Sequence, residues 1–121
     1  MLGVVDATQA IADLTEISPQ VQRVVVIAAD GSLAGTNADP SAAQRLVDGA
    51  RELIGAAEEL RPGVSQLEAA TVSGSVFVVR DGERLIAATT SPEPTVGLVF
   101  YDLKTCLRAT GEAKKVDDAA A

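Results

Sequence analysis

The sequence predicts an α/β sandwich, in which helices cover both faces of a five-stranded antiparallel sheet. Hydrophobic patterns follow the order helix, strand, strand, helix, strand, strand, strand, helix. Two strand segments, residues 21–29 and 75–80, are apolar on both faces, so helices are expected on both sides of the sheet. The chain has 121 residues, of which 47% are hydrophobic, and is therefore long enough for one domain with a substantial core.

The first elements are a helix and a hairpin. Residues 4–18 carry apolar side chains at helical spacing, and Asp6 is placed as the cap of this helix, paired with Gln9. After the first strand, the dipeptide Asp30-Gly31 predicts a type I′ turn, because both of its positions need a positive φ. Residues 32–36 would then form the short return strand.

The second helix has the clearest pattern. Asp39 serves as its cap and Pro40 occupies the first helical position, where no amide donor is lost. Its apolar stripe comprises Ala43, Leu46, Val47, Ala50, Leu53, Ile54, Ala57 and Leu60. Beside the stripe lie Ala42, Gly49 and Ala56, at a spacing of seven. A glycine inside an exposed helix costs about 1 kcal/mol relative to alanine, so these small residues indicate close packing of another helix.

The second half of the chain predicts three strands in a meander and a last helix. The strands cover residues 66–72, 75–80 and 83–90, with glycine-containing turns between them. The last helix carries Val96, Val99, Phe100, Leu103 and Leu107 on one side. Residues 1–110 are therefore expected to form the domain, and residues 111–121 a flexible tail.

Composition excludes several classes of function. The chain has no histidine and a single cysteine, Cys106, so it cannot build a histidine-based catalytic dyad, a thiolate zinc site or an internal disulfide. The first lysine is Lys104, which excludes a phosphate-binding loop of the Walker type. The net charge of −7 leaves no basic stripe for nucleic acid, and no apolar run is long enough to insert into a membrane. We expect a cytoplasmic protein without cofactor or metal, in which Cys106, Phe77, Phe100 and Tyr101 belong to the core.

The chain resembles the roadblock family of dynein light chains. The resemblance rests on the element order, the alanine-rich central helix, and the segments IAADGSLAGTN and PEPTVGLVFYDLKTCLR, and it covers residues 4–108. The most similar members are bacterial proteins that regulate Ras-like small GTPases. The family implies a profilin-like fold and a homodimer, in which the central helices pack side by side and the third strands pair edge to edge. It also implies that the helix layer docks the GTPase.

Carried over to this sequence, the family's dimer interface would use Ala42, Arg45, Gly49, Glu52, Ala56, Leu67, Ala69 and Thr71. The edge strands support this assignment independently. The predicted strand 32–36 is short and contains Gly35, whereas the strand 66–72 is longer and carries only Glu68 as a charge. An edge with so little protection is expected to have a partner.

Charged residues on the central helix are candidates for contact with a GTPase. These are Arg51, Glu58 and Glu59, although the simpler interpretation of the two glutamates is a solvated helix face. Arg45, Arg51, Arg61 and Arg84 are candidates for an arginine finger, and no pattern distinguishes one of them.

The sequence therefore predicts a non-enzymatic homodimeric module that binds a Ras-like small GTPase and regulates or scaffolds it. One alternative is a small-molecule sensor of the PAS or GAF kind, which would hold its ligand beside the sheet. Against this alternative, aromatic residues make up only 2% of the chain. Another alternative is a purely structural dimer that scaffolds a larger assembly.

Overall fold

The computed structural model describes the backbone of residues 6–120 and the side chains of residues 6–111. The elements are α1 (Ala7–Ile17), β1 (Val21–Ile27), β2 (Leu33–Thr36), α2 (Pro40–Leu60), β3 (Gln66–Thr71), β4 (Gly74–Asp81), β5 (Arg84–Thr90) and α3 (Val96–Ala120). The predicted order of elements is confirmed, and most strand ends differ from the prediction by one or two residues. The first two residues of the predicted helix 4–18 lie outside the described residues. The backbone of α3 is helical to Ala120, and the flexibility expected of residues 111–121 stays a prediction.

All five strands form one antiparallel sheet in the order β2-β1-β5-β4-β3. Along β1, Val24 and Val26 point into a core shared with α1 and α3, whereas Val25 and Ile27 point into a second core beneath α2. The expectation that helices cover both faces of the sheet is therefore confirmed. The edges of the sheet are β2 and β3.

The first two helices begin after the cap residues that the sequence predicts, Asp6 and Asp39. The Asp6 carboxylate accepts a hydrogen bond from the amide of Gln9 at 2.9 Å. Asp39 accepts one from the amide of Ala42 at 2.8 Å, and Pro40 is the first residue of α2. These bonds satisfy amide groups that have no partner within the helix.

The predicted type I′ turn at Asp30-Gly31 is wrong. Gly31 has a φ of +92°, but Asp30 is not among the residues with positive φ. The Asp30 carboxylate instead accepts hydrogen bonds from the amide and the hydroxyl of Ser32, at 2.9 and 2.7 Å. These bonds hold the turn without a positive φ at Asp30, and they lower the pKa of that carboxyl below its ordinary value.

Four apolar side chains expected in the core are exposed, and one of them, Val96 at the start of α3, is 38% exposed. Tyr101 is 66% exposed, because it lies two residues from Val99 and thus on the outer side of α3. Ile17 and Leu60, at the last positions of α1 and α2, are 68% and 81% exposed.

Most of the other expected core residues are buried, whereas Leu46, Leu53 and Ala57 of α2 are half-buried. Phe77 is fully buried and packs edge-on against the half-buried Phe100, with ring centroids 4.9 Å apart. Cys106 is buried, and burial together with the charge of Asp13 raises the pKa of its thiol to about 11. Within the described part of the chain, none of the helices has both the length and the apolarity needed to cross a bilayer.

Candidate interaction surface

One side of the sheet is only partly covered. The helix α2 packs mainly over β1 and β5, towards one end of the sheet. Strand β3 pairs with β4 in a register that places Leu67 opposite Val78 and Ala69 opposite Val76. Because paired residues point to the same face and Val78 lies beneath α2, Leu67 and Ala69 lie on the α2 side. Both are half-buried, so apolar surface remains uncovered beside the helix.

The helix contributes a matching row of small and apolar side chains. Leu46 and Leu53 are half-buried against the core beneath α2, Gly49 lies between them, and Ala56 is exposed one turn further on. A side chain added at Gly49 would meet no atom within 4 Å, so nothing within the protomer requires a glycine there. We call the surface formed by Leu46, Gly49, Leu53, Ala56, Leu67 and Ala69 the α2–β3 strip.

The outer edge of β3 borders this strip. At the opposite edge of the sheet, β2 has four residues and lies under α1, where a Cβ at Gly35 would come within 2.6 Å of Ala7 Cβ. Strand β3 has six residues, and its one charged side chain, Glu68, accepts a hydrogen bond from the Ser75 hydroxyl at 2.8 Å. The longer and less protected edge is therefore β3, which is open to pairing with another strand.

Four of the predicted dimer residues belong to the α2–β3 strip, namely Gly49, Ala56, Leu67 and Ala69. Arg45 and Glu52 are exposed on α2. Thr71 is exposed at the end of β3, where its hydroxyl donates a hydrogen bond to the carbonyl of Gly74 at 2.6 Å.

Ala42 differs from the other predicted small residues, because it is buried within the protomer. It lines a groove of about 230 Å³ together with Arg23, Arg45, Leu46 and Thr89. This groove lies between the first half of α2 and the sheet. Two guanidinium groups therefore line it in a chain whose net charge is −7.

Two of the three predicted GTPase-facing residues make contacts within the fold. The Arg51 guanidinium donates a hydrogen bond to the carbonyl of Gly31, which links α2 to the β1–β2 turn. The carboxylate of Glu58 accepts hydrogen bonds from the amides of Gly63 and Val64, at 2.7 and 3.2 Å. It also forms an ion pair with Arg80, at 2.8 Å.

The contacts of Glu58 also affect the pKa of its carboxyl group. The amide of Gly63 and the guanidinium of Arg80 hold the pKa of this carboxyl below its ordinary value. The interpretation of Glu58 as a solvated face is therefore wrong, since its carboxylate fastens the end of α2 to the segment before β3 and to β4. Its neighbour Glu59 is exposed, in agreement with the solvated interpretation. A GTPase contact for Arg51, Glu58 or Glu59 stays a prediction.

Arg84 is also engaged within the fold, although the sequence suggested an exposed arginine. Its guanidinium donates to the carbonyl of Leu107 at 3.0 Å and to the Thr110 hydroxyl at 2.7 Å, and it lies 3.4 Å from the Asp81 carboxylate. Leu107 and Thr110 lie more than twenty residues away along the chain. No local pattern could have revealed these contacts.

Comparison with solved structures identifies the fold. A Roadblock/LC7 domain from Streptomyces avermitilis superposes with a TM-score of 0.77 at 18% identity, covering 92% of this chain and 99% of that one. Myxococcus xanthus MglB gives 0.69 at 14% identity, covering 91% and 95%. The gliding protein MglB from Thermus thermophilus gives 0.67 at 13% identity, covering 93% and 90%.

No protein-family model and no curated protein sequence matches the chain. At these identities the structural likeness establishes the fold alone. The chain has the roadblock fold, as the sequence resemblance predicts.

Proposed function

We propose that two copies of this chain associate through the α2–β3 strip, and that the paired α2 helices form a platform that binds and regulates a Ras-like small GTPase. One observation carries the proposal: an uncovered apolar surface lies directly beside an open strand edge. Helix packing across the strip and strand pairing at β3 would bury both features in a single interface. The family that the sequence resembles implies the same arrangement, and the structural likeness to Roadblock/LC7 and MglB proteins supports the fold on which it is built.

A two-fold axis near Gly49 would account for the spacing of small and charged residues along α2. In an antiparallel pair of helices centred there, each position before Gly49 faces the position equally far after it. Ala42 and Ala56 each lie seven residues from Gly49, so the exposed Ala56 of one chain would face the helix of the other at the buried Ala42, where no large side chain stands in the way. Arg45 lies four residues before Gly49 and Glu52 three residues after it, so opposite charges would lie within one turn of each other.

The regulatory part of the proposal rests on the resemblance to bacterial GTPase regulators. The platform acts as a binding surface in this proposal, and the chemistry of GTP hydrolysis remains in the GTPase. Glu59 is its clearest charged contact, since it is exposed near the end of α2. Arg51 and Glu58 would have to give up contacts within the protomer in order to reach a partner.

Charge reversal tests the register of the dimer. Arg45→Glu and Glu52→Arg each place like charges together at two symmetric points, so each variant should dissociate at a concentration about tenfold higher than the wild type. The double variant restores opposite charges and should recover the wild-type mass, measured by analytical ultracentrifugation. A double variant weaker than either single variant would contradict this register.

Binding to a GTPase tests the function. The Ras-like GTPase encoded nearest to the gene would be loaded with GDP or with a non-hydrolysable GTP analogue, and titrated with the wild type and with the Arg45→Glu variant. We expect the wild type to distinguish the two nucleotide states. At a concentration where Arg45→Glu is monomeric and the wild type is dimeric, we expect the variant to bind more weakly. Failure to bind the GTPase in either state would contradict the proposal. Binding with unchanged hydrolysis and exchange rates would instead support the structural scaffold.

A further inference from the structure

A groove of about 160 Å³ lies between α1 and α3, on the face of the sheet opposite α2. Its apolar walls include Ala10 and Leu14 of α1, and Cys106 and Ala109 of α3. The carboxylates of Asp13 and Asp102 also line it. The groove thus combines an apolar interior with two negative charges.

Asp102 sets this groove apart from an ordinary helix seam. It is only 8% exposed, and within residues 6–111 its carboxylate has neither a hydrogen-bond donor nor an ion-pair partner. Asp13 accepts a hydrogen bond from the Gln9 side chain at 2.9 Å and provides no positive charge. Neither carboxylate oxygen of Asp102 is fully enclosed, so a cation placed in the groove could reach this carboxylate and offset the unfavourable burial of its charge.

The apolar surface continues beyond the groove. Ile17, at the end of α1, lines the groove and is 68% exposed. Leu98 precedes Asp102 by four residues, so it lies on the same face of α3, and it is 48% exposed. A cavity of about 150 Å³ accommodates a single aromatic ring, so a small amine would fill the groove and leave both exposed side chains uncovered.

We propose that this groove binds an amphipathic helix of a partner protein. One apolar side chain of that helix enters between α1 and α3, and an arginine or lysine beside it pairs with Asp102 and Asp13. Helices pack by placing side-chain ridges into grooves of this kind, and the flanking Ile17 and Leu98 extend the contact along the partner. The groove lies on the opposite face from α2, so it can be occupied together with the α2–β3 strip, and it does not depend on the proposed GTPase platform.

Selection from a peptide library tests the chemistry. Amphipathic helical peptides with one randomised face would be displayed and selected against the full-length protein. We expect the enriched peptides to carry a large apolar residue with an arginine or lysine three or four positions away. In isotope-labelled protein, the enriched peptide should shift the amide signals of α1 and α3. Enriched peptides without a basic residue, or shifts confined to α2, would overturn the proposal.

Matched variants distinguish the effect of the Asp102 charge on peptide binding from any loss of folding. Asp102→Asn preserves the size of the side chain and should weaken binding of the enriched peptide about tenfold. Glu83→Gln removes one negative charge from an exposed turn and should leave the affinity unchanged. Ala109→Leu fills the groove and should abolish binding while the protein keeps its thermal unfolding transition. Equal affinity in Asp102→Asn and Glu83→Gln, or in Ala109→Leu and the wild type, would rule out this site.

Discussion

At Glu58, a single half-buried carboxylate joins three segments of the chain. It accepts hydrogen bonds from two amides that follow α2, and it pairs with Arg80 of β4. Glu58→Gln removes the charge that strengthens these bonds, so we expect a lower melting temperature at neutral pH. Glu59→Gln is the matched control, since it makes the same change in net charge at the next residue, which is exposed. Equal melting temperatures for the two variants would contradict the assigned role.

The pH dependence of this effect has a definite sign. The pKa of Glu58 is lowered in the folded protein from its ordinary value of 4.5, first by the amide of Gly63 and then by Arg80. A lowered folded-state pKa stabilises the protein above the unfolded pKa, and this contribution is lost as the pH falls through the folded pKa. The difference in melting temperature between the wild type and Glu58→Gln should therefore diminish below pH 4.5. A difference that persists into strong acid would point to another cause.

Two glycines with positive φ, Gly74 and Gly82, allow the energetic cost of backbone strain alone to be compared with the cost of strain together with a steric clash. Gly74 has a φ of +146°, and a Cβ there would collide with the carbonyl oxygen of Thr90. Gly82 has a φ of +64° and open space around it. We expect Gly82→Ala to cost about 1 kcal/mol of unfolding free energy, and Gly74→Ala at least about 3 kcal/mol. Urea unfolding measures both values, and equal losses would contradict the contact at Thr90.

Among the secondary-structure elements, the helix starts were predictable because their signals are local. Asp6 and Asp39 cap the helices that follow them within three residues. The turn at Asp30 was mispredicted because its side chain replaces the backbone geometry expected of Asp-Gly. The contacts of Glu58 and Arg84 were missed because their partners in other strands or helices lie more than twenty residues away. Sequence patterns therefore predicted the elements better than the contacts between them.

The role of Gly49 on α2 can be tested against a second glycine of the same helix. Gly49 and Gly55 both have room for a side chain within the protomer, and they lie about 120° apart around the helix axis. Replacing either by leucine should favour the helix by up to about 0.8 kcal/mol. Only Gly49→Leu would place bulk in the α2–β3 strip.

We therefore expect Gly49→Leu to dissociate the proposed dimer and Gly55→Leu to leave it intact. Light scattering coupled to size exclusion would measure the mass of each variant. Circular dichroism should show that both variants keep their helices, which separates dissociation from unfolding. A Gly49→Leu variant with the mass of the wild type would exclude this strip as the interface.

For the molecule as a whole, the sequence predicted the fold more fully than the surfaces. Adjacent residues of a strand, such as Val24 and Val25, point to opposite faces of the sheet, and here they lie in different cores. Because both faces of this strand are apolar, the sequence predicts a layer of helices on each side. Which apolar residues remain uncovered depends on where α2 crosses the sheet, and no periodicity encodes that position. Leu46 and Leu53 belong to a single predicted core stripe, yet both are only half-buried and border the α2–β3 strip.

Association of two chains should also couple stability to concentration. If the folded protein is a dimer and the unfolded chain is a monomer, mass action raises the melting temperature as the protein concentration increases. For a dimer of this size we expect a rise of about 3 °C for each tenfold increase, measured by calorimetry. The Gly49→Leu variant should lose this dependence and Gly55→Leu should keep it. A wild-type melting temperature that stays constant over a hundredfold range of concentration would mean that folding is not coupled to association, and it would contradict the proposed dimer.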